Sequence, residues 1–261
     1  MDDETLSQAA ELVVAARLGR KRLARLPGVA TLADGYAVQQ RANASLERHL
    51  GTRVGHKIGG TTEAMRRYIN VPEPLAGEVF ERQVHADGAT VHRGDFVRLG
   101  IETEIAVRLG RDLPPRDGAY LREEVAEAVA CCMASIELVD DRYQDFATIG
   151  GPTQVADNAF DAGVVLGEPV TDWHGLDLAA LTGRTFHDGI LVVEGRGETL
   201  LGHPLDALAW LATKRSSLGL GLIAGAFVTL GTITPVQWVG GPGGFRIEVA
   251  ALGQVQVTIA P

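Results

Sequence analysis

Residues 100–107 read Gly100-Ile101-Glu102-Thr103-Glu104-Ile105-Ala106-Val107, a pattern that is typical of a β-strand. Alternate residues of a strand face the same side, so Glu102 and Glu104 share one face. Two carboxylates on one face repel each other and are costly to bury unless a positive charge lies between them. A hard divalent cation prefers oxygen ligands of this kind. A solvent-exposed strand face is the alternative interpretation of this stretch taken alone.

The composition is that of an ordinary globular protein with a sizeable core. The 261 residues are 46% hydrophobic and 22% charged, which suits one large domain or a small domain joined to a larger one. The net charge is −9, from 24 Lys and Arg against 33 Asp and Glu, and there is no long basic run. Such a chain is a poor candidate for binding nucleic acid or an anionic membrane surface.

The N-terminus and the cysteines both favour a cytoplasmic protein. Met1-Asp2-Asp3-Glu4 lacks the basic start and apolar core of a signal peptide, and no apolar run is long enough to cross a bilayer. Cys131 and Cys132 are adjacent, so they form neither a CxxC zinc pattern nor a staple between distant segments. The apolar run around them predicts a helix over residues 121–133 with buried thiols.

The remaining patterns predict helices first and strands afterwards. Apolar residues recur at helical spacing over residues 2–26, and a second helix follows the N-cap Thr31, with Asp34 at its third position, to about residue 50. Further helices are predicted over residues 63–68 and 204–218. Strands are predicted over residues 77–80, 89–91, 96–109, 135–140, 161–166, 181–193 (with a turn at Asp188-Gly189), 227–232, 245–249 and 254–259. The connections are too short for regular βαβ units, so we expect a mixed α+β fold with a β-rich core.

Two more charged residues join Glu102 and Glu104 in a candidate site. Glu137 lies in the apolar run Ile136-Glu137-Leu138-Val139, and Lys57 lies in Gly55-His56-Lys57-Ile58-Gly59. Three carboxylates make an oxygen site for Mg²⁺ or Mn²⁺ that leaves positions open for a bidentate ligand. A lysine beside that site could pair with a ligand carboxylate, or move protons once neighbours lower its pKa.

Six segments carry a family resemblance in their order along the chain. They read Gly55-His56-Lys57-Ile58-Gly59 (with Ala64-Met65 following), Val71-Pro72-Glu73-Pro74, Glu102-Thr103-Glu104-Ile105-Ala106, Ser135-Ile136-Glu137-Leu138-Val139-Asp140-Asp141-Arg142, Ala156-Asp157-Asn158-Ala159 and Gly202-His203-Pro204-Leu205. The chain thereby resembles the fumarylacetoacetate hydrolase superfamily, in its branch of 2-keto-4-pentenoate (2-hydroxypenta-2,4-dienoate) hydratases and 4-oxalocrotonate decarboxylases. The matching segments cover most of the chain from residue 50 onward.

The resemblance implies an α+β fold whose β-rich core is a mixed roll or partial barrel, with an N-terminal helical segment and flanking helices. We expect residues 1–75 to form the helical segment plus a lysine loop, and residues 76–261 to form the catalytic core of one integrated unit. The resemblance also implies Mg²⁺ or Mn²⁺ held by Glu102, Glu104 and Glu137, with Lys57 as the catalytic acid/base. It implies a homo-oligomer and suggests association with a related decarboxylase or hydratase.

The activity that the resemblance implies is that of a metal-dependent lyase. Its substrate would be a short 2-oxo or 2-hydroxydienoic acid, processed through an enolate that the metal stabilises. A hydro-lyase similar to 2-keto-4-pentenoate hydratase is the first hypothesis. The alternatives are a 4-oxalocrotonate-type decarboxylase, an acylpyruvate hydrolase or isomerase, and a non-catalytic scaffold partner of such an enzyme. A scaffold would have no need to keep the lysine and all three glutamates.

Several residues of the expected substrate pocket depart from the family's usual ones. Leu75 stands in Glu73-Pro74-Leu75-Ala76-Gly77 where the family usually reads Glu-Pro-Asp-Phe-Gly, which removes a carboxylate expected near the substrate. Phe160 replaces the usual Ser of Ala-Asp-Asn-Ala-Ser, and Thr62 stands for the usual Ser after the lysine motif. We therefore expect a bulkier or less polar substrate. Asp157 and Asn158 are expected on the substrate side, and a plain turn is their alternative.

Two other motifs lead to structural expectations. His203 precedes Pro204 and is expected to cap the helix that starts there. Asp140 and Arg142 are as compatible with a structural ion pair as with a site.

Overall fold

The computed structural model describes residues 1–146 and 148–261, apart from the Tyr68 side chain. Its α-helices are α1 (Asp3–Gly19), α2 (Leu32–Leu50), α3 (Glu63–Tyr68), α4 (Arg122–Ala126), α5 (Gly151–Ala156) and α6 (Pro204–Ser217). Its strands are β1 (Arg53–Gly59), β2 (Leu75–Phe80), β3 (Val84–His85), β4 (Ala89–His92), β5 (Leu99–Leu109), β6 (Val129–Asp140), β7 (Asp161–Leu166), β8 (Thr182–His187), β9 (Ile190–Arg196), β10 (Phe227–Thr232), β11 (Gln237–Trp238), β12 (Gly243–Val249) and β13 (Gly253–Ala260). Within the described residues, no helix has the length and apolar character that a membrane span requires.

The strands form two sheets that pack on each other. The larger sheet has the order β2-β1-β10-β5-β6-β7-β3, with β11 beside β5, and the smaller has the order β4-β13-β12-β8-β9. Strands β12 and β13 of the smaller sheet lie against β6 of the larger one, and the main apolar core lies between the sheets. The predicted α+β fold with a β-rich roll as its core is therefore confirmed.

The two N-terminal helices pack on each other, and α2 also packs on α5. Helix α1 starts after Asp2, whose side chain accepts a hydrogen bond from Thr5 N at 2.8 Å. It ends at Gly19 because Arg20 adopts a left-handed backbone with φ 52°, so it is shorter than the predicted 2–26. Helix α2 begins with the predicted capping box of Thr31 and Asp34.

The predicted helix over residues 121–133 is wrong. Helix α4 covers only Arg122–Ala126, and strand β6 starts at Val129. Strand β6 lies between β5 and β7 and is buried on both faces from Cys131 onward, so its first half, residues 129–134, is an apolar run that lacks the alternation of a half-exposed strand. Cys131 and Cys132 are buried as expected, but they contribute to two different apolar clusters.

The glycine-rich segment around Lys57 is strand β1 and is not a loop. It pairs in parallel with β10 and antiparallel with β2, so Lys57 lies between Thr229 and Gly77. A Cβ atom on Gly77 would lie 2.8 Å from Lys57 Cγ, so glycine is required for the lysine to lie flat on this strand pair. Because β1 and β2 belong to one sheet, the core includes strands from before the expected boundary at residue 75. The division at that residue stays a prediction.

Candidate metal centre

The pairing of β5 with β6 brings the three glutamates together. Glu102 lies directly opposite Glu137 in the antiparallel register, and Glu104 lies two residues further along the same face. One carboxylate oxygen from each residue lies within 4.8 Å of the others. Glu104 and Glu137 are buried and Glu102 is half-buried, which excludes a solvent-exposed strand face.

Few hydrogen-bond donors serve these carboxylates. Gly231 N donates to Glu104 Oε2 at 2.8 Å, and the Thr229 hydroxyl donates to Glu137 Oε2 at 3.3 Å. The second oxygen of Glu104, Oε1, is buried and has no hydrogen-bond partner in the described part of the chain. An unsatisfied buried carboxylate oxygen is costly, so the cluster is short of a positive or donating group.

Lys57 is the positive charge beside the glutamates. Its Nζ contacts Glu137 Oε1 and donates a hydrogen bond to the backbone oxygen of Ala159 at 2.7 Å. Burial by itself would lower the pKa of Lys57, but the negative charges of Glu137 and Glu102 outweigh it and raise that pKa. The carboxylates by themselves therefore hold the proton of Lys57; a lowering of this pKa by neighbours stays a prediction, which requires a cation to offset the carboxylate charges.

One lysine does not balance the charge of three carboxylates, two of which are buried and one half-buried. Burial raises the pKa of each glutamate, and for Glu102 burial together with repulsion from Glu137 raises the pKa to about 8, against the lowering effect of Lys57. The pKa of Glu104 is raised well above its ordinary value, by burial and by repulsion from both other glutamates. Three carboxylates are hard oxygen donors, and their negative charge is only partly neutralised here. Such a group fits a hard divalent cation such as Mg²⁺ or Mn²⁺.

A cavity of about 520 Å³ opens beside Lys57 and Glu102. Its wall includes three of the five residues predicted to bind substrate: Leu75, Phe160 and Thr62. The Thr62 oxygen also accepts a hydrogen bond from Met65 N at 3.2 Å, so it caps α3. The two residues that depart most from the usual family pattern, Leu75 and Phe160, thus lie on the wall of the cavity.

The backbone next to Lys57 is strained. Asn158, Ala159 and Phe160 have consecutive φ values of 56°, 49° and 65°, which non-glycine residues seldom adopt. Asn158 holds this segment by donating to the Glu78 carbonyl at 2.6 Å and accepting from Glu78 N at 2.9 Å. The strained turn presents the Ala159 carbonyl to Lys57 and the Phe160 ring to the cavity, as strain at functional sites often does.

Asp157 and Asn158 are not among the residues that line the cavity. Asp157 is fully buried and pairs with Arg142, whose Nε lies 3.0 Å from Asp157 Oδ2. Arg142 also pairs with Asp140, at 3.1 Å, so these two residues form the structural ion pair. Asp157 and Asn158 therefore support the strained turn from behind the cavity wall.

The two histidines of the sequence motifs lie outside the cavity wall as well. His203 caps α6 as expected, because its Nδ1 accepts a hydrogen bond from Leu205 N at 3.0 Å. His56 is buried and lies 3.4 Å from Arg215, and burial lowers the pKa of His56 to about 3.

Sequence reasoning missed the groups that hold the charged side chains in place. These are the Thr229 hydroxyl, the Gly231 N–H and the Ala159 carbonyl. Two of them are backbone groups, which no side-chain pattern reveals. It also missed Trp238 and Phe146 on the cavity wall. Trp238 is one of only three tryptophans in the sequence, and this rarity was the signal that could have marked it as a candidate pocket residue.

Replacing Gly231 with Ala is expected to weaken both the fold and Mg²⁺ binding. Gly231 has φ 110°, and an added Cβ would lie 2.4 Å from Thr61 Oγ1, so the N–H that holds Glu104 must move. We expect a loss of about 1–3 kcal/mol in the free energy of unfolding, measured in urea, and a weaker Mg²⁺ affinity by calorimetry. Gly253→Ala is the matched control, since Gly253 has φ 90° with open space around it. Equal Mg²⁺ affinities for the two variants would contradict the role of Gly231.

A family profile and a related sequence both place this chain near the same group of proteins. The profile of the fumarylacetoacetate (FAA) hydrolase C-terminal family matches residues 62–260. A 2-keto-4-pentenoate hydratase of Burkholderia vietnamiensis is 34% identical over 263 residues, covering 98% of each chain.

Two solved structures of a decarboxylase are also similar along the whole chain. The 4-oxalocrotonate decarboxylase from Pseudomonas putida G7, complexed with magnesium and adipate, has a TM-score of 0.93 at 27% identity, covering 99% of this chain and 98% of that one. Its complex with calcium and acetate has a TM-score of 0.91 at the same identity and coverage.

Proposed function

The chain belongs to the fumarylacetoacetate hydrolase family, and from this membership we propose that it is a divalent-metal-dependent lyase that hydrates a 2-hydroxydienoic acid. The observation that carries the proposal is the buried cluster of Glu102, Glu104 and Glu137, with Lys57 beside it at the wall of a cavity. The expected class of enzyme is a hydratase or decarboxylase of this family. It agrees with the related hydratase and with the related decarboxylase.

We propose Mg²⁺ or Mn²⁺ as the cation and the three glutamates as its protein ligands. The related decarboxylase is known with magnesium and with calcium. When bound, such a cation polarises the 2-oxygen of a 2-oxo acid and offsets the negative charge of the glutamates.

Lys57 Nζ is the group that holds and moves the proton in this proposal. It lies between Glu137 and the Ala159 carbonyl, which fix its position at the cavity wall. A cation held by the glutamates would offset the charges that raise the pKa of Lys57, so from there the amine would transfer a proton to or from a substrate carbon. Leu75, Phe160 and Thr62 would contact the substrate directly, whereas Asp157 and Asn158 would act as positioning residues. A homo-oligomer, and association with a related decarboxylase or hydratase, are also expected from the family alone.

A 4-oxalocrotonate-type decarboxylase is the second candidate. The similarity to the decarboxylase over almost all of both chains favours it. Loss of CO₂ and addition of water both depend on stabilising negative charge on the 2-oxygen, so one site suits either reaction.

The experiment that tests the proposal follows products by NMR. The purified protein is incubated with Mg²⁺ or Mn²⁺, and in parallel with a chelator, on 2-hydroxypenta-2,4-dienoate and on 4-oxalocrotonate. Metal-dependent addition of water supports the hydratase, and metal-dependent release of CO₂ supports the decarboxylase. No product from either acid at saturating metal would contradict both.

The stabilisation of the fold by Mg²⁺ is expected to increase with pH. The pKa of Glu102 is about 8 in the folded protein and 4.5 ordinarily, so between these values the folded state binds more protons than the unfolded state. The metal-free protein therefore loses stability as pH rises through this range, while a cation binds the deprotonated carboxylates increasingly well.

The measurement is the melting temperature at pH 6 and at pH 8.5, with and without Mg²⁺. At 100 times its Kd the cation contributes about 2.7 kcal/mol, which corresponds to roughly 5–10 °C at the higher pH. A gain that is absent, or larger at pH 6, would contradict binding to these carboxylates and would favour a scaffold.

A further inference from the structure

The charge on the cavity wall is confined to the candidate metal centre. Among the described residues that line the cavity, Lys57 and Glu102 are the charged ones. The rest of the wall is mostly hydrocarbon, with threonine hydroxyls and the buried Gln154 as polar groups, and Gln154 donates to the Phe146 carbonyl at 3.3 Å. A ligand that reaches beyond the centre therefore meets an uncharged, largely apolar surface.

Three aromatic rings form one continuous part of this surface, which we call the aromatic wall: Phe146, Phe160 and Trp238. The ring centroids of Phe146 and Phe160 lie 5.9 Å apart in an edge-to-face arrangement, and those of Phe146 and Trp238 lie 6.3 Å apart. Tyr143 supports Phe160 from behind, with centroids 5.7 Å apart. Such packed aromatic rings offer a large apolar contact area in fixed positions.

Two arginines that contact residues of the cavity wall, Arg66 and Arg98, are already engaged. Arg66 donates to the carbonyl oxygens of Gly60 and Thr61 at 3.0 and 2.9 Å. Arg98 pairs with Asp141 at 3.0 Å, and its guanidinium lies 4.0 Å from the centroid of the Trp238 ring. A second carboxylate of the ligand that lay near either arginine would therefore lose its hydration without gaining an unpaired cation, which is costly.

The size of the cavity exceeds what a five-carbon acid needs. Its volume of about 520 Å³ lies in the range of pockets that hold drug-sized ligands. Leu75 adds to the apolar surface next to β1, because it pairs with Gly59, two residues along that strand from Lys57.

We propose that the site takes 2-hydroxydienoic and 2-oxo monocarboxylic acids with an alkyl tail beyond the reacting carbons, and discriminates against dicarboxylic acids of equal length. Phe160 and Leu75 set this specificity. The inference rests on the proposed function, since that function puts the carboxylate and 2-oxygen of the ligand at the metal centre and leaves its tail for the aromatic wall. It separates this chain from the related decarboxylase, whose structure contains adipate, a dicarboxylate.

A binding measurement tests the ligand class without relying on turnover. Saturated 2-oxo acids are titrated by calorimetry into the Mg²⁺-loaded protein: 2-oxohexanoate, 2-oxononanoate and 2-oxoadipate. Three added methylenes should tighten binding roughly 60-fold, at about fourfold each. The dicarboxylate should bind at least about tenfold more weakly than the monocarboxylate of the same length.

The variants test the role of the aromatic wall and of Leu75. Phe160→Ser should reduce, at least about fivefold, the gain in affinity of 2-oxononanoate over 2-oxohexanoate. Phe160→Leu keeps an apolar side chain and should retain most of this gain in affinity. Phe186→Ser, on β8 away from the cavity wall, is the matched control and should leave the ranking unchanged. Leu75→Asp should remove part of the same gain. If Phe160→Ser fails to fold, Leu75→Asp still decides the assignment, because an unchanged gain in affinity in that variant would contradict it.

Turnover separates this inference from the proposed function. The test compares 2-hydroxypenta-2,4-dienoate with 2-hydroxydeca-2,4-dienoate, which carries a pentyl group. A higher kcat/KM for the longer acid supports the inference. If the short acid or 4-oxalocrotonate is preferred, and 2-oxoadipate binds as tightly as 2-oxohexanoate, the inference is overturned while the lyase stands. If no dienoate reacts but the binding order holds, the proposed function fails and the ligand class stands.

Discussion

Replacing Lys57 with Met is expected to reduce kcat on a 2-hydroxydienoic acid by about 10²–10⁴-fold, with little change in KM. Methionine keeps the length and the apolar stem of lysine but cannot hold a proton. The loss should appear in kcat because Lys57 Nζ is held against Glu137 and the Ala159 carbonyl at the cavity wall. The measurement is steady-state kinetics at saturating Mg²⁺.

The same variant should keep its response to Mg²⁺. Lys57 is the positive charge beside three buried carboxylates, so its removal increases their repulsion and makes a cation more favourable there. We expect a lower melting temperature without metal and an undiminished gain on adding Mg²⁺. Lys21→Met, at an exposed lysine, is the control for the loss of a charge. A variant that keeps wild-type kcat would exclude Lys57 as the acid/base.

Replacing Glu104 with Gln is expected to abolish the gain in melting temperature on adding Mg²⁺, a loss of roughly 5–10 °C of stabilisation. The amide keeps an oxygen that can accept from Gly231 N but removes one of the three anionic ligands. Without metal, the variant should be at least as stable as the wild type at pH 8. The reason is that the pKa of Glu104 is raised by burial and by its two neighbours, so its ionisation destabilises the fold.

The control for this prediction is Glu123→Gln, which removes an exposed carboxylate on α4. It should retain the full response to Mg²⁺. If Glu104→Gln instead lowers the stability of the metal-free protein and leaves the Mg²⁺ response intact, the cluster is a structural charge network and is not a metal site.

Part of the site was predictable because it depends on local pattern. Glu102 and Glu104 share a face in any strand, and Glu137 stands out as a charge in an apolar run. That Glu102 lies opposite Glu137 depends on the register between β5 and β6, which are separated by a loop and a short helix. The family resemblance supplied this link, since strand spacing alone leaves the register open.

Other features could not be predicted because tertiary contacts override the local signal. The run around Cys131 has the composition of a buried helix but forms a strand covered on both faces. The left-handed backbone of Ala159 and Phe160 contradicts their local preferences, and the surrounding contacts hold it in place. Asp157 was expected on the substrate side, but its pairing with Arg142 becomes visible only once both are buried together.

The most direct test of the account is deuterium exchange at C3 of a saturated 2-oxo acid, followed by proton NMR in D₂O. This exchange requires proton removal next to a polarised 2-oxo group and needs no further reaction. We predict exchange with the wild type and Mg²⁺, and none above background with a chelator, with Lys57→Met or with Glu104→Gln. Exchange that persists in either variant, or is absent from the metal-loaded wild type, would contradict a single site formed by Lys57 and the three glutamates.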